Sequence, residues 1–206
     1  MKSYSICFFL IAIFLFSCQH DPPKPTDQIF YTYLFPDAVV QSVRHFTPSE
    51  ITWMTCPEIP HPTDSTSHYN VDINNNNTPD FRIEVTHRFY GSCGHCMAYI
   101  YQVSIEGLQE DCFVANSGTD DQIPMMFSAG DIVDKDQVWA NGATLFYSYF
   151  CASEFEADFD DCFIGTRVGN SFGYIHVVKM PGNGISIVEH GHNLTAGRSI
   201  ECGQKG

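Results

Sequence analysis

The residues with the densest chemistry run from Asp72 to Asp80: Asp-Ile-Asn-Asn-Asn-Asn-Thr-Pro-Asp. Asp72, Asn74, Asn76, Thr78 and Asp80 stand at alternate positions, so a tightly curled loop can turn all their oxygens inward. Ca²⁺ takes about six to eight hard oxygen ligands, and this set offers them with two carboxylates. The same residues also build a hairpin-like connection from Asx-turns, in which Asn and Asp cap their own backbone. Both readings stand at the level of sequence. A second constellation is Cys93-Gly94-His95-Cys96, a dithiol at redox spacing. Catalysis by it needs a depressed thiolate pKa, usually supplied by a helix N-terminus after a strand. Here the strand run 81–89 precedes and Met97–Tyr101 reads as a strand, so the expectation is two strands joined by Gly91–Cys96, a hairpin tip bearing a structural cysteine pair. His190 and His192, with His176 on a nearby strand, offer imidazoles to a transition metal, but no carboxylate or third His stands at a convincing spacing.

Nine cysteines need an account. Cys7 lies in the leading apolar run and Cys18 just behind it. Seven remain: Cys56, Cys93, Cys96, Cys112, Cys151, Cys162 and Cys202. An odd number leaves one thiol free or paired outside the chain. Cys151 and Cys162 flank the acidic connection Ala152–Asp161 and are the first candidates for a bridge, with Cys93 and Cys96 as the second pair. Closing a loop of about ten residues contributes about 2–3 kcal/mol. A zinc site using Cys93, Cys96 and two further thiols is the alternative use of the same sulfurs.

These groups need a compartment, and the N-terminus supplies one. Lys2 precedes an unbroken apolar run, Ile6–Phe16, which is too short to span a bilayer (about 20 residues are needed) but suits the core of a secretory signal. The following Leu15-Phe16-Ser17-Cys18 resembles the lipobox of bacterial lipoproteins, with Phe16 standing where that pattern prefers a smaller residue. The resemblance implies that Cys18 is acylated and becomes the first mature residue. Several acyl chains on one cysteine give stable anchoring, so the expected attachment is through lipid alone, at the outer membrane, on its periplasmic or surface face. Residues 1–17 read as the signal, and 18–28, rich in proline, as a tether. Removing the signal takes away one lysine and no acid, so the net charge of −14 becomes −15.

The elements that must position the candidates are strands. Short apolar runs rich in aromatic and β-branched residues recur from Ile29 onward: 29–35, 39–43, 68–73, 81–89, 98–105, 145–150, 162–168, 174–180 and 185–189. Alternation in Phe81–Thr86 and Ile185–Glu189 is the period-two signature of a sheet with one wet face. Gly, Asn, Asp and Pro clusters punctuate the runs, and no long helical stripe appears. The expected fold is all-β: a single antiparallel β-sandwich, or a barrel-like variant, of about nine short strands over residues 29–204. With ten Lys+Arg against 24 Asp+Glu and no basic run, nucleic-acid binding by phosphate neutralisation is excluded as an expectation.

Several resemblances attach to these residues. The Asp72 loop is similar to the start of calcium loops in EF-hand and dockerin-like proteins, although Asn77 stands where that motif has Gly and Ile83 where it has Glu. Cys93-Gly94-His95-Cys96 resembles the dithiol motif of protein disulfide isomerases, without the preceding Trp of thioredoxin-like proteins. Asp64-Ser65-Thr66 resembles a short O-glycosylation signal of Bacteroidetes. Tyr31–Asp37, Val71–Phe81, Phe163–Arg167, Phe172–Val177 and Ile185–Gln204 together resemble segments of uncharacterised exported β-proteins of Bacteroidetes, many of which carry lipoprotein or sorting signals. That resemblance implies a secreted β-sandwich and brings no reaction with it. No G-x-S-x-G, H-E-x-x-H, Walker or Rossmann pattern is present. The expected function is that of a cell-envelope lipoprotein with a non-catalytic binding or structural domain. The alternatives are a calcium-stabilised carbohydrate- or protein-binding surface module and an envelope thiol-disulfide oxidoreductase.

Overall fold

The computed structural model describes residues 27–41, 65–93, 96–118, 123–150, 159–180 and 184–206. Cys18, Cys56, Cys151 and the signal and most of the tether lie outside the described residues. The described chain is all-β and antiparallel, in thirteen strands. They are β1 Ile29–Gln41, β2 Ser65–Val71, β3 Phe81–Cys93, β4 Cys96–Gly107, β5 Cys112–Asn116, β6 Met126–Phe127, β7 Ile132–Val133, β8 Val138–Ala140, β9 Gly142–Phe150, β10 Asp161–Val168, β11 Ser171–Met180, β12 Gly184–Asn193 and β13 Ile200–Glu201.

Two sheets carry the fold. One is seven-stranded, in the order β1-β12-β11-β10-β5-β8, with β6 joined to β10; the other is four-stranded, in the order β2-β3-β4-β9. A third, two-stranded sheet pairs β7 with β13. The two main sheets face each other across one core. Val71, Phe81, Ile83, Val85, Val103, Ile105 and Leu145 from the smaller sheet meet Val40, Val114, Ile164, Ile175, Val177, Ile185 and Ile187 from the larger. This is a sandwich rather than the closed barrel also considered.

The expected wet face holds for the smaller sheet. Along Phe81–Val85, Phe81, Ile83 and Val85 are buried, and Arg82 and Glu84 are partly exposed between them. It fails for the larger sheet, where Gly184–Asn193 is buried at every position but Val188. A second core covers the outer face. Phe163, Phe172 and Tyr174 are capped there by Phe127, Val133 and Ile200, from the short strands β6, β7 and β13 that are absent from the expected set, and by Cys202 just beyond β13. Strands covered on both faces lose their polar alternation. Ser186, read as a solvent position, is buried and donates to Asp37 Oδ2 at 2.9 Å.

The runs 29–35 and 39–43, expected as separate strands, share the single strand β1. β1 pairs with β12 from Ile29 to Tyr33 and again from Ala38 to Gln41, with an irregularity between. In the same region β12 carries a bulge against β11: His176 faces Glu189, but Val177 faces Ile187, so Val188 is the extra residue. That one residue inverts the faces that follow it.

Candidate functional site

The loop from Asp72 to Asp80 joins β2 to β3, and its side chains are turned to its own backbone. Asp72 accepts from the amides of Asn76 (Oδ1, 3.1 Å) and Asn77 (Oδ2, 2.6 Å). Asn74 and Asn76 accept from amides two residues on, at 3.1 and 2.7 Å. Asp80, only 2% exposed, accepts from Ile73 N at 2.9 Å and Asn74 Nδ2 at 3.2 Å. Asn75 and Asn77 take the left-handed conformation at φ 59° and 67°, which Asn tolerates better than most residues. The Asx-turn reading therefore describes the bonds present. Each carboxylate accepts two hydrogen bonds and keeps further acceptor capacity. Burial raises the pKa of Asp80, its hydrogen bonds lower it, and the neighbouring charges of Asp72 and Asp111 raise it.

The fold brings this loop against the histidines of β12. Gly191 lies under the ring of Tyr174 on the outer face, so its neighbours His190 and His192 face the inter-sheet core. Ile73 reaches the same region: a Cβ on Gly173, the cross-strand partner of His192, would stand 2.9 Å from Ile73 Cδ1. Asp72 acts electrostatically on His190. Both imidazoles are buried, neither Nδ1 has a hydrogen-bond partner, and burial pushes both pKa values down to about 4. They are neutral at pH 7. Among the described residues, no three or more His, Cys, Asp or Glu side chains converge as a metal site.

His176, grouped with these two by the sequence, lies on the opposite face. There it belongs to a polar chain that sequence spacing does not reveal. His176 Nε2 stands 2.6 Å from Asp161 Oδ1, its Nδ1 lies 3.9 Å from Glu189 Oε1, and Tyr31 donates to Glu189 Oε2 at 2.6 Å. The imidazole stacks on Phe163 at 4.2 Å. Four strands, β10, β11, β12 and β1, are linked side chain to side chain by this row.

The dithiol has the placement its flanks predict. β3 and β4 pair antiparallel to their ends, and the backbone register sets Cys93 directly across from Cys96. Cys93 ends one strand and Cys96 begins the next, so the pair is followed by a strand and not by the helix whose dipole activates a thiol. Cys162, Cys112 and Cys202 are free and buried, and burial pushes their thiols up to about 12, 11 and 12 respectively. These are inert thiols. Cys151, the candidate partner of Cys162, is outside the described residues.

The fold and these groups define an antiparallel β-sandwich domain with a buried histidine pair and a self-capped Asx loop. Comparison with known proteins finds no matching family model, no matching curated protein and no matching solved structure.

Proposed function

We propose that the chain is a lipid-anchored protein of the cell envelope whose β-sandwich serves a binding or structural role without catalysis. The carrying observation is Cys18, placed directly behind the apolar run Ile6–Phe16 and eleven residues before the first strand at Ile29. Fully extended, a segment of that length would span about 35–40 Å, enough to hold the domain clear of the membrane. The inert burial of Cys112, Cys162 and Cys202 supports a structural use of these sulfurs, and the hairpin setting of Cys93 and Cys96 favours bracing over thiol exchange. Attachment is through lipid alone, at the outer membrane, with no nucleic acid involved. Replacing Cys18 with Ala tests the anchor. The variant is expected to take up no labelled fatty acid, and any product cleaved of its signal is expected in the soluble envelope fraction; continued membrane partitioning of the cleaved Cys18→Ala product would overturn the reading.

A second reading, calcium stabilisation of a surface-binding module, is favoured by one observation. The buried carboxylate of Asp80 stands near Asp72 and Asp111, whose charges oppose its ionisation. A cation held by Asp72, Asn74, Asn76, Thr78 and Asp80 would relieve that repulsion. Excess EDTA is then expected to lower the melting temperature and added Ca²⁺ to restore it. A melting temperature indifferent to both removes calcium from the account and leaves the anchor untouched.

A further inference from the structure

The outer face of the larger sheet carries a second unusual group at its other end. Arg167 on β10 pairs across the sheet with Phe113 on β5 and Phe172 on β11, and Trp139 on β8 stands across from Ala115 of β5. The guanidinium carbon lies 4.4 Å from the centroid of the Phe113 ring and 5.2 Å from that of Trp139. Trp139 in turn stacks on Phe172 at 5.7 Å, and Phe172 belongs to the second core. Rings so placed hold a guanidinium in one orientation and take water from its surface.

What this group lacks is an acceptor. Arg82 reaches Glu106 at 3.4 Å and Arg198 reaches Asp27 at 3.1 Å, whereas among the described residues no carboxylate stands within 4.0 Å of the Arg167 guanidinium. Its Nε is buried without a hydrogen-bond partner, and so is Nε1 of the adjacent Trp139. Two N–H donors in one aromatic cluster are left unpaired in a chain where acids outnumber bases by 24 to ten. A shortage of carboxylates does not explain it. A buried donor left unpaired is costly, more so when charged, so the cluster gains from an oxygen acceptor that reaches the guanidinium.

We propose that Arg167 anchors a binding site for a carboxylate-bearing ligand, with Phe113 and Trp139 fixing the guanidinium and the indole of Trp139 reporting on its occupancy. A carboxylate matches the planar fork of the guanidinium, and the charge-assisted bonds are about twice as strong as neutral ones. The net charge of −14 repels a polyanion, so the ligand presents a single carboxylate on an otherwise uncharged body. Such a site rests on the binding role proposed above, but it does not depend on the anchor at Cys18 or on calcium at the Asp72 loop.

The test is a titration of the ¹⁵N-labelled full chain in mild detergent, following the indole N–H signals. Trp53 and Trp139 are the two tryptophans, and a Trp53→Phe variant assigns them. Benzoate and glucuronate are the probes, with benzamide as the uncharged isostere and sulfate as a non-carboxylate anion. Saturable movement of the Trp139 signal is expected with at least one carboxylate, at concentrations on the order of millimolar, and not with benzamide. Arg167→Met keeps the packed stem and should weaken the carboxylate at least about tenfold; Arg167→Lys keeps the charge, loses the fork and should also weaken it. No saturable shift with either probe, equal shifts with benzamide or sulfate, or wild-type affinity in both Arg167 variants overturns the proposal and assigns the missing acceptor to water. Membrane partitioning of the wild-type chain, measured alongside, separates failure of this site from failure of the anchored reading.

Discussion

Acidifying the protein from pH 6.5 to pH 4 is expected to remove on the order of 5 kcal/mol of stability, most of it through His190 and His192. Both have folded-state pKa values of about 4 against 6.5 when free. In that window the unfolded chain binds more protons than the folded one, so stability falls with pH. The contribution is fully present above about pH 6.5 and is lost as pH drops towards 4. Each depressed imidazole corresponds to roughly 3 kcal/mol. The pair acts as a unit, since each charge would oppose the other across two residues of one strand. Neither Nδ1 has a partner that could hold an added proton, and both rings face the core between the sheets. Asp80 works in the opposite sense: its folded pKa is raised, so its contribution is present at low pH and is lost as pH rises. It therefore works against the loss caused by the histidines as the pH falls. Urea unfolding at pH 7, 6, 5 and 4 measures the effect, with His190→Leu/His192→Leu as the comparison. The double variant should show little pH dependence between 6.5 and 5, where ordinary carboxylates remain charged. If it loses stability as steeply as wild type there, the imidazoles are not the acid-sensitive groups.

Why this pair was half-legible in the sequence comes down to one residue. His190-Gly191-His192 shows two imidazoles on one side of a strand, and that much the structure bears out. Which side was not legible. Alternation through Ile185, Ile187 and Glu189 puts Glu189 inward and the histidines outward. The bulge at Val188 reverses that assignment, sending Glu189 to Tyr31 and His176 and the histidines into the core. A bulge is a property of the pairing between β11 and β12, and no local residue type announces it. The all-β class and the β3–β4 hairpin were legible because each rests on local period and turn residues. The second core was not, because Ile132-Val133 and Ile200-Glu201 are too short to carry a period and acquire meaning only by pairing with each other. The Arg167 cluster was invisible for a related reason, its four side chains coming from four separate strands.

Substituting Gly191 by Ala is expected to destabilise the domain by about 2–3 kcal/mol, against the gain of roughly 0.5–1 kcal/mol that Ala ordinarily brings to a strand in place of Gly. A Cβ there would stand 2.6 Å from Cε1, 2.7 Å from Cζ and 2.9 Å from the hydroxyl of Tyr174. The ring has no room to yield. Tyr174 is fully buried, its hydroxyl donates to the carbonyl of Gln204 at 2.9 Å, and Phe163 meets it edge-on at 5.4 Å. Gly191 is thus required by the ring that crosses it, an aromatic covering a strand glycine. Tyr174→Phe removes only the hydroxyl bond and should cost about 1 kcal/mol, without relieving Gly191→Ala, because Cε1 and Cζ remain. Tyr174→Leu should cost about 3 kcal/mol for the space it leaves in the second core, yet make Gly191→Ala nearly neutral. Denaturant unfolding of the two single variants and the double one gives a coupling of about 2 kcal/mol if the ring-on-glycine contact is the cause. Simple additivity would mean that the glycine is held by something else. Because Tyr174 ties residue 204 to the sheet, Gly191→Ala should also loosen the cover of that face. Amide exchange at Gly130 and Cys202, whose hydrogen bonds go to Cys202 and Asp131, should then accelerate more than exchange at Ile83 or Val103 in the opposite sheet.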